Sequence, residues 1–133
     1  MSRHEFIPIS DEVDLLAKNV VDSAFQVHRE LGPGLLESVY QTCLCYELSL
    51  RKIKFEKELL LPVRYKQLQL ESGLRLDLLI ESSIIVELKS VEKVLPIHEA
   101  QILTYLKLTG CRLGFLINFN EVRIKDGIKR IVL

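Results

Sequence analysis

Arg75-Leu76-Asp77-Leu78-Leu79-Ile80, then Glu81-Ser82-Ser83, then Ile84-Ile85-Val86-Glu87-Leu88-Lys89, reads as two apolar strands joined by a short polar loop. Leu76, Leu78 and Ile80 alternate on one face, and Ile84, Val86 and Leu88 do the same on the next strand. Setting both apolar sets on one side of a sheet pairs Ile80 with Ile84, Leu78 with Val86 and Leu76 with Leu88. That register leaves Glu81-Ser82-Ser83 as the loop and places Asp77 directly opposite Glu87. Glu87 and Lys89 then share the second face, with Leu88 on the first.

Working outward, Phe55–Tyr65 and Gln67–Leu70 have strand texture upstream, and Glu71-Ser72-Gly73 gives a turn signal before Leu74. Leu16, Val20, Ala24, Val27 and Leu31 recur at helical spacing, with Ser10-Asp11 as a cap. Gly32-Pro33-Gly34 breaks that helix. A second helix is expected from about Leu35 to Leu50, with Leu36, Val39, Tyr40, Cys43, Leu44 and Leu48 inward. Downstream, Pro96 opens a helix over Ile97–Thr109 that Gly110 closes. Arg112–Asn118 is a short strand, and Asp126-Gly127 between Val122–Lys125 and Ile128–Val132 reads as a hairpin. The order α, α, several β, α, β, β predicts an α/β (α+β) protein with a mixed central sheet flanked by helices. Residues 1–10 read as an N-terminal arm and 11–133 as one domain.

The 133 residues suit one core, and 48% hydrophobic content is enough to fill it. Lys plus Arg (18) equals Asp plus Glu (18), so no global field draws the chain to a polyanion. Any nucleic-acid contact has to come from local clustering of cations. Cys43, Cys45 and Cys111 are odd in number and lack a disulfide or zinc spacing, which points to buried or semi-buried thiols. No apolar leader and no membrane-spanning run is visible, so a cytoplasmic location and no membrane partner are expected.

Asp77, Glu87 and Lys89 interrupt otherwise apolar strands, which is costly unless each charge is paired or bound to an ion. Two carboxylates opposed on a sheet repel unless something positive lies between them. A divalent cation answers this, since Mg²⁺ is held by one or two carboxylates plus waters and phosphate oxygens. An ion-pair network with Lys89 and Arg75 answers it equally well at this level. Glu37 reads alone as a first-turn acid favoured by the helix dipole, and Tyr40 as a core aromatic. No nucleophile elbow and no glycine-rich phosphate loop is present.

Asp77 followed by Glu87-Leu88-Lys89 resembles the D…(E)XK signature of the PD-(D/E)XK nuclease superfamily. Gly34-Leu35-Leu36-Glu37-Ser38-Val39-Tyr40 is similar to the motif of the GxxExxY family, a small branch of that superfamily. Gln101-Ile102-Leu103-Thr104-Tyr105 resembles its QxxxY motif. Leu76 stands where the superfamily's name has Pro. The resemblance covers about Val20 to Asn120 and implies a restriction-endonuclease-like αβββαβ core. It implies Asp77, Glu87 and Glu37 as ligands of Mg²⁺ (with Mn²⁺ able to substitute), and Lys89 as the residue that stabilises charge or orients the attacking water. It implies Gln101, Tyr105 and Tyr40 as substrate contacts. The implied reaction is phosphodiester hydrolysis in nucleic acid, DNA ahead of RNA. A nuclease this small often needs a homodimer or a partner protein to enclose a duplex. A non-catalytic binding or assembly module on the same fold is the alternative.

Overall fold

In a computed structural model, residues 7–133 are described, so most of the expected N-terminal arm lies outside the described residues. Helix α1 spans Asp11–Leu31. The Ser10 hydroxyl accepts from the Val13 N–H and caps it, as its sequence predicts. Gly32 (φ 71°) and Gly34 (φ 97°) both adopt left-handed conformations that end α1 and turn the chain into α2. Helix α2 spans Glu37–Leu50 and buries Tyr40, Leu44, Cys45 and Leu48. It starts later than expected, and Leu36 and Val39, expected inside, are exposed. With Tyr40 and Leu44 fixed inward, residues one before or four before Tyr40 are carried off the buried stripe by the short helix start.

Among the described residues, five strands form one mixed sheet in the order β1(Phe55–Tyr65), β2(Leu68–Ile80), β3(Ile84–Lys89), β4(Leu113–Asn118), β5(Ile128–Val132). Among these strands only β3 and β4 are parallel, joined through α3 (Pro96–Thr109). Helices α1 and α2 cover one face, over Leu78, Ile80, Ile84, Val86, Leu88, Phe115 and Ile117. Helix α3 covers the other, over Leu74, Leu76, Ile85 and Leu116. Gly114 lets α3 approach closely: a Cβ there would lie 2.9 Å from the Ile102 side chain. Among the described residues, three α-helices around this sheet give the α+β, restriction-endonuclease-like architecture.

Three sequence expectations are corrected. Glu71-Ser72-Gly73 is not a turn. Leu68–Leu70 and Leu74–Ile80 belong to one long strand, and the hairpin turns at Lys66-Gln67 instead. The misleading residues mark an irregularity: Leu61 pairs with Leu74 but Val63 with Leu70, so β2 carries extra residues there. Asp126-Gly127 is not a hairpin either, and Val122–Lys125 is not a strand. Ile124–Gly127 is a 3₁₀ turn, and β5 returns antiparallel to β4. A Cβ on Gly127 would lie 2.2 Å from the Asn118 carbonyl oxygen, so this glycine serves close approach.

The third correction concerns register. Ile80↔Ile84 and Leu78↔Val86 form as expected, with Glu81-Ser82-Ser83 as the loop. The pairing ends there. Leu76 does not join Leu78 and Ile80 on the α1–α2 side but packs with Ile85, Ile102 and Leu106 below α3. Strand β1 changes sides at the same level: Phe55 packs toward α1–α2, Leu59 and Leu61 toward α3. Glu58 between them has φ 51°. The hairpin is thus kinked at the level of Glu58 and Asp77.

Candidate metal and nucleic-acid site

Beyond Leu78↔Val86 the β2–β3 ladder gives way to side chains. The Asp77 N–H donates to Glu87 Oε2 at 2.8 Å. The Leu88 N–H donates to Asp77 Oδ2 at 2.9 Å. Each carboxylate therefore takes a backbone donor of the opposite strand, where continued pairing would have supplied a carbonyl. The two acids are locked together with one oxygen each outside this clamp. The kink of β2 at Asp77 is what opens the room for them.

Glu87 is 6% exposed. Burial first, and then the neighbouring charge of Asp77, push its carboxyl up to about 8 from an ordinary 4.5; the bond from Asp77 N–H and the charge of Lys89 act in the opposite direction. Glu37, on the exposed first turn of α2, is raised by partial desolvation and then by Asp77, against Lys89 and Arg75. From the α3 side, half-buried Tyr105 has its phenol raised by burial and by the charges of Glu87 and Asp77. The mutual fields of Glu37, Asp77, Glu87, Lys89 and Tyr105 thus belong to one locality, between the start of α2 and the face of α3. Gln101 lies one turn before Tyr105, on the exposed surface of α3.

Cations do not neutralise the pair by contact. Arg75 is engaged by Glu58 at 2.5 Å. Among the described residues no salt bridge joins Lys89 to Asp77 or Glu87. An ion-pair network, open from the sequence, is therefore not what holds these acids.

Tyr40 is placed differently from the substrate contact expected of it. It is fully buried; its hydroxyl donates to Gly32 O at 2.6 Å and accepts from Leu35 N–H at 3.1 Å. Its ring stacks on Phe119, with centroids 4.6 Å apart. Tyr40 fixes the glycine turn that presents Glu37, which is a positioning role. Two residues passed over in the sequence act beside it. The Ser90 hydroxyl donates to Leu35 O at 2.6 Å, tying the exit of β3 to the entry of α2. Buried Asn118 accepts from Val91 N–H and donates to Val91 O, pinning the chain after Lys89. A polar amide closing the apolar run of β4 was the available signal. His28 and His98 are structural: Nε2 of His28 bonds Glu121 O, and His98 Nδ1 accepts from Leu95 N–H at the start of α3.

A family model, that of the PD-(D/E)XK nuclease superfamily, matches residues 14–131. The chain belongs to this superfamily. The matched span contains every residue of the locality just described, from Glu37 to Tyr105. No curated protein and no solved structure matches the chain. Nucleases of the PD-(D/E)XK superfamily usually employ divalent metals such as Mg²⁺. Among the described residues, no three Asp, Glu, His or Cys side chains gather closely enough to hold an ion by themselves. The donor chemistry of Asp77 and Glu87 nevertheless fits Mg²⁺, which takes one or two carboxylates and fills its remaining positions with water. Glu37 fits as an outer charge facing that pair. Among the described residues no helix is long and apolar enough to cross a membrane.

Proposed function

We propose that this chain is a divalent-cation-dependent nuclease of the GxxExxY branch, hydrolysing phosphodiester bonds in nucleic acid, DNA ahead of RNA. The observation that carries the reading is the Asp77–Glu87 clamp. Two acids are held side by side, one of them nearly buried and raised to about 8, with no salt bridge to either among the described residues. A fold gains nothing from making the ionisation of Glu87 so costly, whereas a bound cation would offset that cost.

Asp77 and Glu87 would hold Mg²⁺ or Mn²⁺, with Glu37 oriented toward it from α2. A divalent cation there supplies Lewis-acid polarisation of a phosphoryl group. Lys89 makes no salt bridge among the described residues and is close enough to lower the pKa of both Glu37 and Glu87. Its ammonium stabilises negative charge on the reacting phosphate or orients the attacking water. The Tyr105 hydroxyl, protonated at neutral pH like any phenol and raised further by burial and the two acids, donates to a phosphate oxygen. Gln101, one helical turn away, extends the same line of donors.

Cleavage of single- and double-stranded DNA and of RNA with Mg²⁺ or Mn²⁺ tests the proposal. The wild type is expected to cut, and Asp77→Ala and Lys89→Ala to lose activity. A wild type that cuts none of them, or variants that cut as well, ends the catalytic reading. One observation favours a second reading, a non-catalytic binding or assembly module: Asp77 Oδ2 and Glu87 Oε2 are already engaged by backbone donors. Calorimetric titration with Mg²⁺ or Mn²⁺ separates the two, since such a module need not take up the ion.

A further inference from the structure

The β1–β2 hairpin outruns the sheet. Strand β2 pairs with β3 only over Leu78–Ile80, whereas its pairing with β1 continues to Tyr65↔Leu68. From the kink outward it is a two-stranded arm of roughly 20 Å, about six base-pair steps of a duplex. One face of the arm is apolar along its whole length. Leu59, Leu61 and Leu74 pack under α3, and the same face continues to Leu70, Leu68 and Tyr65, which are 49%, 57% and 62% exposed. The stretch 59–70, between Glu58 and Glu71, holds Arg64 and Lys66 and no acid, in a chain whose charges balance overall. The Lys66 ammonium lies 5.3 Å from the centre of the Tyr65 ring. Pro62 sits in edge strand β1 and removes a donor there, which disfavours edge-to-edge pairing with a second copy.

We infer that the hairpin tip, Arg64 to Leu68, is a DNA-gripping arm. Tyr65 and Leu68 lie against sugar and base, while Lys66, in the turn, and Arg64, paired with Gln69 on the opposite face of the ribbon, take phosphates. The inference rests on the nuclease reading for its polymer, and the arm springs from the same strand that carries Asp77. Its kink directs the apolar face toward the α3 side, where Tyr105 meets the acids.

The experiment is fluorescence anisotropy of a labelled DNA duplex across a salt series, in chelator so that nothing is cut. Tyr65→Ala is expected to weaken binding about tenfold. Arg64→Gln with Lys66→Gln is expected to flatten the slope of log affinity against log salt by about two. All three positions are on the exposed tip, so unfolding midpoints should not move; circular dichroism checks this. Variants that bind as the wild type does, or a wild type that binds no DNA, overturn the arm. A dimer in sedimentation that these substitutions dissolve also overturns it, assigning the tip to a second copy. The nuclease reading is judged separately by divalent-dependent cleavage. Tip-dependent binding without cleavage leaves the arm standing and removes the enzyme; cleavage indifferent to the tip does the reverse.

Discussion

Replacing Glu87 by Gln removes a charge while keeping the shape and the acceptor that Asp77 N–H uses. In the folded chain Glu87 holds its proton up to about pH 8, and an ordinary carboxyl releases it near 4.5. Between those values the native state binds more protons than the unfolded state, so the stability of the wild type falls as pH rises through this window. The interval is about 3.5 pH units, and at ~1.36 kcal/mol per unit its ceiling is about 5 kcal/mol. Urea unfolding followed by circular dichroism, in chelator, measures it. At pH 5 wild type and Glu87→Gln should agree within about 1 kcal/mol. At pH 9 the variant should be the more stable by several kcal/mol, up to that ceiling. Saturating Mg²⁺ should flatten the pH dependence of the wild type and leave the variant where it was. If the variant is instead destabilised at pH 9, Glu87 is an ion-pair partner, because breaking such a pair leaves an uncompensated charge. Equal pH profiles for the two proteins would refute the burial argument itself.

Mg²⁺ uptake at pH 7 should release close to one proton in the wild type and almost none in Glu87→Gln, read by calorimetry in buffers of different ionisation enthalpy. Tyr40→Phe leaves Gly32 O and Leu35 N–H without their shared partner; it should cost about 1–3 kcal/mol in urea unfolding and reduce cleavage by loosening the turn that presents Glu37. Gly127→Ala drives a methyl against the Asn118 carbonyl and should cost about 1–3 kcal/mol, whereas Gly34→Ala, in open space, should show only the strain of its positive φ. Tyr105→Phe should leave the unfolding midpoint nearly unchanged and lower the cleavage rate.

Much of this fold was legible because its main signals are local. The alternation of Ile80, Leu78, Ile84 and Val86 and the loop Glu81-Ser82-Ser83 depend on neighbours within a few residues. Gly32-Pro33-Gly34 and Pro96 act within one turn. What was not legible depends on partners distant in sequence. Asp126-Gly127 spells a hairpin in any context, yet here the glycine answers to the carbonyl of Asn118. Tyr40 sits three residues after Glu37, and spacing alone lets both face a site. Only Phe119 and the turn oxygen of Gly32 decide that the ring goes inward.

The kink at Asp77 connects the error in register to the chemistry. Continued alternation through Leu76 would have given Asp77 and Leu88 ordinary ladder partners, and their carboxylate neighbours no reason to turn inward. With Leu76 drawn beneath α3, the backbone donors of Asp77 and Leu88 need acceptors, and Glu87 and Asp77 supply them. The same two side chains thereby serve the backbone with one oxygen and leave the other outside the clamp. An amide at either position could still serve the backbone, so structure alone does not require two acids here. What Asn and Gln cannot do is hold a hard cation with full negative charge. Asp77→Asn with Glu87→Gln should therefore fold, resist alkaline pH better than the wild type, and fail to bind Mg²⁺; a double variant that binds the ion normally would place the metal elsewhere.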